Sequence, residues 1–411
     1  MPTGQVLRVG AIILLIVIMT TMTGCWNRRE IETLGFVLAV GIDQAREEGK
    51  VQLTVQVAKP FAIGVGGQAG GGGGAMQEKP FWVVSSTGYT VFEAVRNFLS
   101  QSPRRLCWGH NRFILIGEEL ARKGVQDVLD VFVRDGEPRW RAWIVVAKGA
   151  RASDLLETEF ELERMPAEAA MGIIQGSRMG LSTIGESMLI DFLQKLEEEG
   201  IDPIATRAEI VPRPQKFDIR GELKREKIGA SARITGAAVF KDDKLVGWLN
   251  KPETRGFNWV MGKVRSGIIV IKKPGEEDRF IGLEILRAKG GFKPEIKDGR
   301  VSVTVRVEAE ANVGDIQGFL DPLESPEVWA SMERRMAAVI KNEIMAAVAK
   351  AQELNSDIFG FGAELNRRNP EKWAELKDRW DEEFPRVDVQ VEVKAKLRRS
   401  GLVIRSTRIK R

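Results

Sequence analysis

The sequence predicts an α+β protein, an exported multi-domain body of mixed β-sheets with flanking helices. Strand, helix and strand patterns alternate between Phe81 and Ala147, which is typical of parallel pairing within a mixed sheet. Two alternating apolar segments flank Asp298-Gly299, a strong β-hairpin signal. An amphipathic helix pattern then runs from Ser325 to about Leu354. The length of 411 residues allows two or three domains of ordinary size.

The first 24 residues differ in composition from the rest of the chain. One charged residue, Arg8, precedes the apolar run Val9–Met19, as in a secretory signal peptide. The following Met22-Thr23-Gly24-Cys25 resembles the bacterial lipobox, in which the cysteine receives diacylglycerol before cleavage. We therefore expect a signal peptide over residues 1–24, cleavage between Gly24 and Cys25, and lipid attachment at Cys25. The alternative is an uncleaved signal anchor with a chance cysteine.

The next part of the chain alternates between strand and helix patterns. A capping box, Thr90-x-x-Glu93, opens one predicted helix, and Glu118–Arg134 is predicted to be helical with a break near Gly124. The glycine-rich residues 64–74 are predicted to form a loop, because such a run loses much backbone entropy on ordering. The predicted strands are Leu34–Asp43, Val51–Val57, Phe81–Ser85, Arg112–Gly117 and Trp140–Ala147.

A second capping box, Thr183-x-x-Glu186, is predicted to open a helix that ends before Gly200 and Pro203. The prolines from Pro203 onward mark the predicted domain boundary. We expect an N-terminal α/β domain over residues 25–202, which includes the loop at 64–74. A strand-rich middle domain over 203–290 and a C-terminal α+β domain over 291–411 would follow.

Strand patterns dominate beyond residue 203. The long helix from Ser325 and a short helix that carries Trp373, Leu376 and Trp380 are the predicted exceptions. The predicted strands are Ala237–Lys241, Lys244–Leu249, Ile268–Ile271, Arg279–Ala288, Lys293–Lys297, Val301–Val307 and Val387–Leu397.

One histidine and two cysteines exclude several kinds of site. No zinc site of the Cys/His type can be assembled, and Cys25 and Cys107 could form one disulfide at most. His110 could serve as a general base, but no nucleophile has a visible link to it, so a structural role is the simpler interpretation. No Gly-x-Ser-x-Gly motif occurs. We therefore predict a non-enzymatic protein that needs no metal or other cofactor.

The positive charge is concentrated at the C-terminal end. Residues 386–411 hold nine basic residues against Asp388 and Glu392. Attraction to anionic lipid or an acidic partner is one interpretation, and protection of an exposed edge strand is the other. Nucleic acid is not expected, because no aromatic residues interleave with the basic ones. The candidate membrane or partner surface comprises Lys394, Lys396, Arg398, Arg399, Arg405 and Arg408.

Several short motifs, in this order, resemble the Ger(x)C family, the lipoprotein C subunits of spore-germination nutrient receptors. The resemblance spans nearly the whole mature chain. The motifs are Cys25–Glu32 with Leu34-Gly35, Gly41–Asp43, His110–Arg112, Ile116–Ala121, Arg134-Asp135, Gly236–Phe240, Leu245–Leu249, Glu253–Gly256, Asp357–Gly362, Pro370–Trp373 and Trp380.

This resemblance implies a three-domain body tethered through Cys25 to the outer face of the spore inner membrane. It also implies assembly with two integral-membrane subunits, one of the spore-germination type and one permease-like. No catalytic residues carry over. The alternative function is that of a solute-binding lipoprotein of a membrane transporter, which should show two α/β lobes and a ligand cleft.

Overall fold

A computed structural model of the chain describes residues 30–60, 79–160, 162–212, 230–297, 299–318 and 326–399, together with Gly4, Arg8 and residues 10–14. Within these residues, no helix has both the length and the apolar character needed to cross a membrane. The predicted lipid site at Gly24 and Cys25, the glycine-rich residues 64–74, and Arg405 and Arg408 lie outside the described residues.

The first sheet contains nine strands of the described chain. Eight of them follow the order β3-β2-β1-β5-β6-β7-β8-β9, and β4 pairs with β1 beside this path. The bounds are β1 Leu34–Gln44, β2 Val51–Ala58, β3 Phe81–Gly88, β4 Arg105–Cys107, β5 Phe113–Gly117, β6 Trp143–Lys148, β7 Ile204–Pro212, β8 Ala230–Lys241 and β9 Lys244–Leu249.

Parallel and antiparallel pairs are mixed in this sheet, so the predicted α+β class is confirmed. β1 runs antiparallel to β2 and parallel to both β4 and β5. β5, β6 and β7 are parallel neighbours, whereas β8 and β9 return antiparallel. The parallel β5–β6 pair confirms the pairing predicted from the strand-helix-strand pattern. β1 lies in the interior of the sheet, which explains why its sequence is apolar on both faces.

Helices cover both faces of the first sheet and close one hydrophobic core on each. Gly124, with φ of 136°, separates the first two helices after β5 and confirms the predicted break. The bounds are α1 Val91–Asn97, α2 Glu118–Lys123, α3 Gln126–Leu129, α4 Val131–Arg134, α5 Ala152–Glu157, α6 Pro166–Gly180 and α7 Leu189–Glu197.

The second capping box was predicted wrongly. The helix begins at Leu189 with Met188 as its N-cap, and Thr183 and Glu186 lie before it. Ile184 forms a β-bridge with Gly236, whose N–H donates to the Thr183 carbonyl at 2.8 Å. Backbone pairing with β8 therefore overrides the local capping pattern.

The second sheet is a four-stranded sheet in the order β10-β11-β12-β13. Its strands are β10 Ile268–Lys273, β11 Glu276–Lys297, β12 Arg300–Ile316 and β13 Asp388–Leu397. Lys297 pairs with Arg300, which confirms the hairpin predicted at Asp298-Gly299. β13 joins β12 in parallel as an edge strand.

Helices α8 Lys251–Val260 and α9 Pro326–Glu353 pack on one face of the second sheet. α9 confirms the predicted long helix. The predicted short helix after it is instead divided, since Trp373 and Leu376 lie on one helix and Trp380 begins another. The remaining bounds are α10 Phe361–Arg368, α11 Pro370–Leu376 and α12 Trp380–Glu383.

The two sheets share one hydrophobic core. Ile204, Ala237, Val239 and Leu249 of the first sheet belong to the same buried cluster as α8, α9 and the second sheet. β7 begins beyond the predicted boundary at residues 202–203 and pairs with β6 of the first sheet. The division into three domains at residues 202 and 290 stays a prediction.

Candidate functional site

A charged pocket of about 350 Å³ lies between the β8–β9 turn of the first sheet and the helices that follow α9. Four segments form its walls: the end of α7 and the residues after it, the turn between β8 and β9, Asp357, and the α11–α12 region. Its charged and aromatic lining residues are Lys195, Glu197, Glu198, Glu199, Asp202, Lys241, Asp242, Asp357, Trp373, Lys377, Asp378, Trp380 and Asp381.

Asp202 connects three of these segments. Its Oδ1 accepts from the backbone N–H of Asp242, and its Oδ2 accepts from that of Asp357, both at 2.9 Å. The backbone N–H of Asp202 donates in turn to the Asp357 carbonyl at 2.9 Å. Lys241 Nζ lies 3.4 Å from Asp202 Oδ2 and 2.6 Å from Asp381 Oδ1. Burial raises the pKa of Asp202, and the charge of Lys241 and the backbone donors offset part of that rise.

Asp357 is buried, and its carboxylate accepts four hydrogen bonds. Oδ1 accepts from the backbone N–H of Gly360 at 2.9 Å and of Phe361 at 3.1 Å. Oδ2 accepts from Gly362 N–H at 2.9 Å and from Trp380 Nε1 at 3.2 Å. The aspartate thus accepts hydrogen bonds from the otherwise unpaired N–H groups at the start of α10. Through Trp380 it also links α12 to the start of α10. Burial raises the pKa of Asp357 to about 7, although the backbone donors act to lower it.

The hydrogen bonds of Asp202 and Asp357 form a clasp between distant segments of the chain. The lining residues include no serine, threonine, cysteine or histidine that could act as a nucleophile or imidazole base. The carboxylate oxygens of Asp202 and Asp357 accept hydrogen bonds from backbone and indole N–H groups. Ser356 Oγ donates to the Phe240 carbonyl at 2.6 Å. Together these bonds tie the β8–β9 turn of the first sheet to the segment that follows α9. We name this group of residues, Asp202, Lys241, Ser356, Asp357 and Trp380, the junction clasp.

The predicted basic surface lies partly on β13, where its charges face carboxylates. Lys394 stands opposite Glu308 of β12, and Lys396 stands opposite Glu310. Arg398 donates from Nε to Glu310 Oε2 at 2.8 Å. Arg287 of β11 also contacts Glu310, and these two arginines lower the pKa of Glu310 to about 2. The described part of this surface is therefore a ladder of alternating charges. Its role as a membrane or partner surface stays a prediction.

The other candidate residue, His110, does not enter the junction clasp. It is exposed before β5 and makes an edge contact with the Phe36 ring at 5.0 Å between centroids.

Asp357 lies within one of the motifs that carry the family resemblance but had no predicted role, and Asp202 was not predicted as a site residue. The local chemistry at Asp357 is familiar, because aspartate near a helix start commonly accepts hydrogen bonds from the free backbone N–H groups there. No local signal reveals Asp202, since its partners are 40 and 155 residues away along the chain.

Both parts of the chain match profiles of spore germination proteins. Residues 27–210 match the family described as Spore germination protein N-terminal domain. Residues 235–401 match the family described as Spore germination B3/ GerAC like, C-terminal. The chain is also similar along most of its length to curated proteins of this kind.

Two of these relatives are from Bacillus subtilis (strain 168). The Putative spore germination protein YfkR is 28% identical over 92% of this chain and 93% of the relative. Spore germination protein KC is 27% identical over 95% of each chain. The crystal structure of the GerBC protein matches with a TM-score of 0.51 and 20% identity, over 87% of this chain and 96% of that one. This structural match shows that the fold is shared.

Proposed function

Because this chain belongs to the spore germination B3/GerAC-like family, we propose that it is a non-catalytic, lipid-anchored subunit of a spore germinant receptor. In this proposal, diacylglycerol on Cys25 holds the protein on the outer face of the spore inner membrane. There it assembles with two integral-membrane subunits, one of the spore-germination type and one permease-like.

One observation carries the proposal: the N-terminal and C-terminal family profiles follow one another along residues 27–401. Both curated relatives named above are spore germination proteins and align almost end to end. A role in spore germination is therefore well supported. The lipid anchor rests on the lipobox-like sequence before Cys25.

The junction clasp is consistent with an interaction subunit. It ties the first sheet, which follows the anchor, to the segment after α9, so a contact made on one of these two parts constrains the position of the other. The solute-binding alternative predicts two α/β lobes. The described chain instead pairs one α/β sheet with a four-stranded sheet covered by helices on one face, so this alternative is not favoured.

Lipid attachment is tested with Cys25→Ala in the spore-forming host. We expect this variant to remain an uncleaved precursor, to lack the lipid mass at its N-terminus, and to reduce the rate of nutrient-triggered germination. Mass spectrometry of the membrane fraction and the loss of optical density after nutrient addition provide the two readouts.

Cys107→Ala is the matched control, because Cys107 is the second cysteine of the chain and is half-buried in β4. It should keep the lipid and germinate normally. A wild-type protein that retains residues 1–24 and carries an unmodified Cys25 would contradict the anchor. Normal germination of a strain that lacks this gene and its close relatives would contradict the receptor role.

A further inference from the structure

The parallel strands of the first sheet all begin at the same end of the sheet. β1 starts at Leu34 beside Arg105 of β4, and Phe113 of β5 pairs with Ala39 of β1 and with Trp143 of β6. Because these strands are parallel, the loops that lead into them lie at the same end of the sheet. We name this the strand-start end.

The N-terminal segment enters the fold at the strand-start end. The described body begins at Glu30, which is five residue-to-residue steps along the chain from Cys25. A fully extended chain covers at most about 3.6 Å per residue, so Glu30 lies within about 18 Å of Cys25. β1 is about 36 Å long, since each of its 11 residues adds about 3.3 Å, so the far end of this strand lies beyond the reach of the short segment that leads to Cys25. Given the lipid anchor of the proposed function, the strand-start end is the end held near the bilayer.

Exposed apolar side chains occur at this end. Leu99, in the turn after α1, is 63% exposed, and Trp140, in the loop that leads into β6, is 48% exposed. Leu99 lines a groove together with Phe92, Arg104 and Arg105. Tryptophan is enriched at the level of lipid headgroups because its ring is amphipathic. Burial of a leucine side chain away from water is favourable because it removes apolar surface from the solvent.

Basic side chains surround these apolar residues. Arg105, Arg139 and Arg141 are exposed, and each lies in a segment that leads into or begins a parallel strand. Asp135 and Glu137 are the acidic residues in the groove beside Arg105. Glu30 and Glu32 also lie at this end, but Arg28 and Arg29 adjoin them in the sequence. The arginines of this end are Arg96, Arg104, Arg105, Arg139 and Arg141.

We propose that the strand-start end is a bilayer-contacting face for anionic phospholipid. Leu99 and Trp140 insert at the level of the headgroups, and the arginines bind lipid phosphates. This inference rests on the proposed lipid anchor, and it assigns membrane contact to a surface other than β13. On the described part of β13 the lysines face glutamates. In the groove and the loop into β6, by contrast, five arginines accompany the two acidic residues Asp135 and Glu137, and apolar side chains lie among them.

The test uses the full-length, lipidated protein in vesicles of phosphatidylcholine and phosphatidylglycerol. In a Cys107→Ser background, an environment-sensitive fluorophore is attached to Leu99→Cys. Its matched control is Tyr89→Cys, because Tyr89 is 68% exposed and lies at the opposite end of the sheet. The strand pairing shows this location: Gly88, the residue before it, pairs with Val51, and Val51 pairs with Gln44, the last residue of β1. Brominated lipid should quench the label at position 99 at least twofold more than the label at position 89. Equal quenching at the two positions would overturn the proposal.

The charge contribution is tested with Arg105→Gln, Arg139→Gln and Arg141→Gln combined. We expect this variant to lose at least half of the quenching difference in anionic vesicles and to keep the melting temperature of the parent. The matched control replaces three basic residues of the second sheet, Lys289, Lys394 and Lys396, with glutamine, and should leave the difference unchanged. An effect of the control as large as that of the arginine variant would contradict the assignment to this end.

Flotation of the vesicles and the mass of the N-terminal peptide separate this inference from the proposed anchor. A protein that lacks lipid and does not float contradicts the anchor. A protein that is lipidated and floats, but whose label at position 99 is not quenched, contradicts the bilayer-contacting face alone. If position 99 is shielded from an aqueous quencher only when the integral-membrane subunits are present, the face binds protein and the proposal is wrong.

Discussion

At the residue scale, Asp357 combines two opposing effects. The side chain is buried, which disfavours its charge, yet all four of its described hydrogen-bond partners are N–H donors, which favour it. Burial is the larger effect, and the pKa rises to about 7. Asp202, whose pKa is also raised, lies directly beside it. The junction clasp should therefore respond to pH.

Because the raised pKa belongs to the folded state, the folded protein binds a proton more tightly than the unfolded chain, where an aspartate titrates near pH 3.9. This contribution to the free energy of unfolding is complete below about pH 4 and is lost as the pH rises to about 7. We expect the melting temperature of the wild type to fall relative to that of Asp357→Asn between pH 4.5 and 7.5. Calorimetry at several pH values measures the difference. A difference independent of pH would show that Asp357 does not titrate in this range.

That Asp357 accepts from N–H groups at a helix start accords with the common use of aspartate as a cap, but its burial could not be anticipated. Burial depends on Trp380, which lies on a separate helix and donates to the carboxylate. The same limit applies to Asp202. A sequence pattern identifies a local cap, whereas the pairing of distant segments around a carboxylate depends on the tertiary fold.

At the scale of elements, the close contact of α8 with α9 depends on a glycine. A Cβ added to Gly256 would lie 2.0 Å from the carbonyl oxygen of Glu343. Next to it, Arg255 Nε donates to Glu343 Oε2 at 2.9 Å, and Trp259 Nε1 donates to the same oxygen at 3.0 Å. The glycine allows the backbones to approach, and the buried glutamate then fixes the register of the two helices.

Gly256→Ala should therefore separate the helices and lower the free energy of unfolding by about 1–3 kcal/mol. Gly176→Ala is the matched control, since Gly176 also lies inside a helix, α6, but has no atom within 4 Å of an added Cβ. That replacement should stabilise the protein by about 0.5–1 kcal/mol, because glycine is a poor helix former. Denaturation in urea measures both. A Gly256→Ala variant as stable as Gly176→Ala would contradict the close packing.

The contrast between two predicted elements explains what local patterns can specify. The Asp298-Gly299 hairpin and the helix from Pro326 were predicted correctly, because turn residues and an apolar stripe act locally. The capping box at Thr183 was wrong, because the Thr183 carbonyl and Ile184 pair with Gly236, about 50 residues away. A four-residue pattern gives no information on such a partner.

At the scale of the whole molecule, the sequence could indicate strands but not which sheet each one joins. Ala237–Lys241 and Lys244–Leu249 were predicted as strands, and they pair with each other as the β8–β9 hairpin. The attachment of this hairpin to the first sheet through β7 was not apparent, because a period of two specifies a face and not a neighbour. The junction clasp and the shared core then hold the two sheets together.

This arrangement separates the predicted basic surface into two groups of residues. Lys394, Lys396 and Arg398 stand opposite or beside glutamates of β12, which reduces the attraction of these three residues for an anionic membrane. Arg399 has no carboxylate among its described hydrogen bonds, and Arg405 and Arg408 lie beyond the described residues. If the C-terminal end attracts lipid, the second group should account for most of the effect.

We compare these two groups in the soluble chain from Trp26 onward. One variant changes Arg399, Arg405 and Arg408 to glutamine, and the matched control changes Lys394, Lys396 and Arg398 to glutamine. Near an anionic surface each basic residue is worth about 1 kcal/mol, so we expect the first variant to bind phosphatidylglycerol vesicles at least fivefold more weakly at low salt. The difference should diminish at high salt, where the charges are screened. Sedimentation with vesicles measures binding, and the melting temperature verifies the fold. Equal binding by the parent and both variants at low salt would leave protection of the edge strand as the role of these charges, since lysine and arginine on β13 also oppose pairing with another chain.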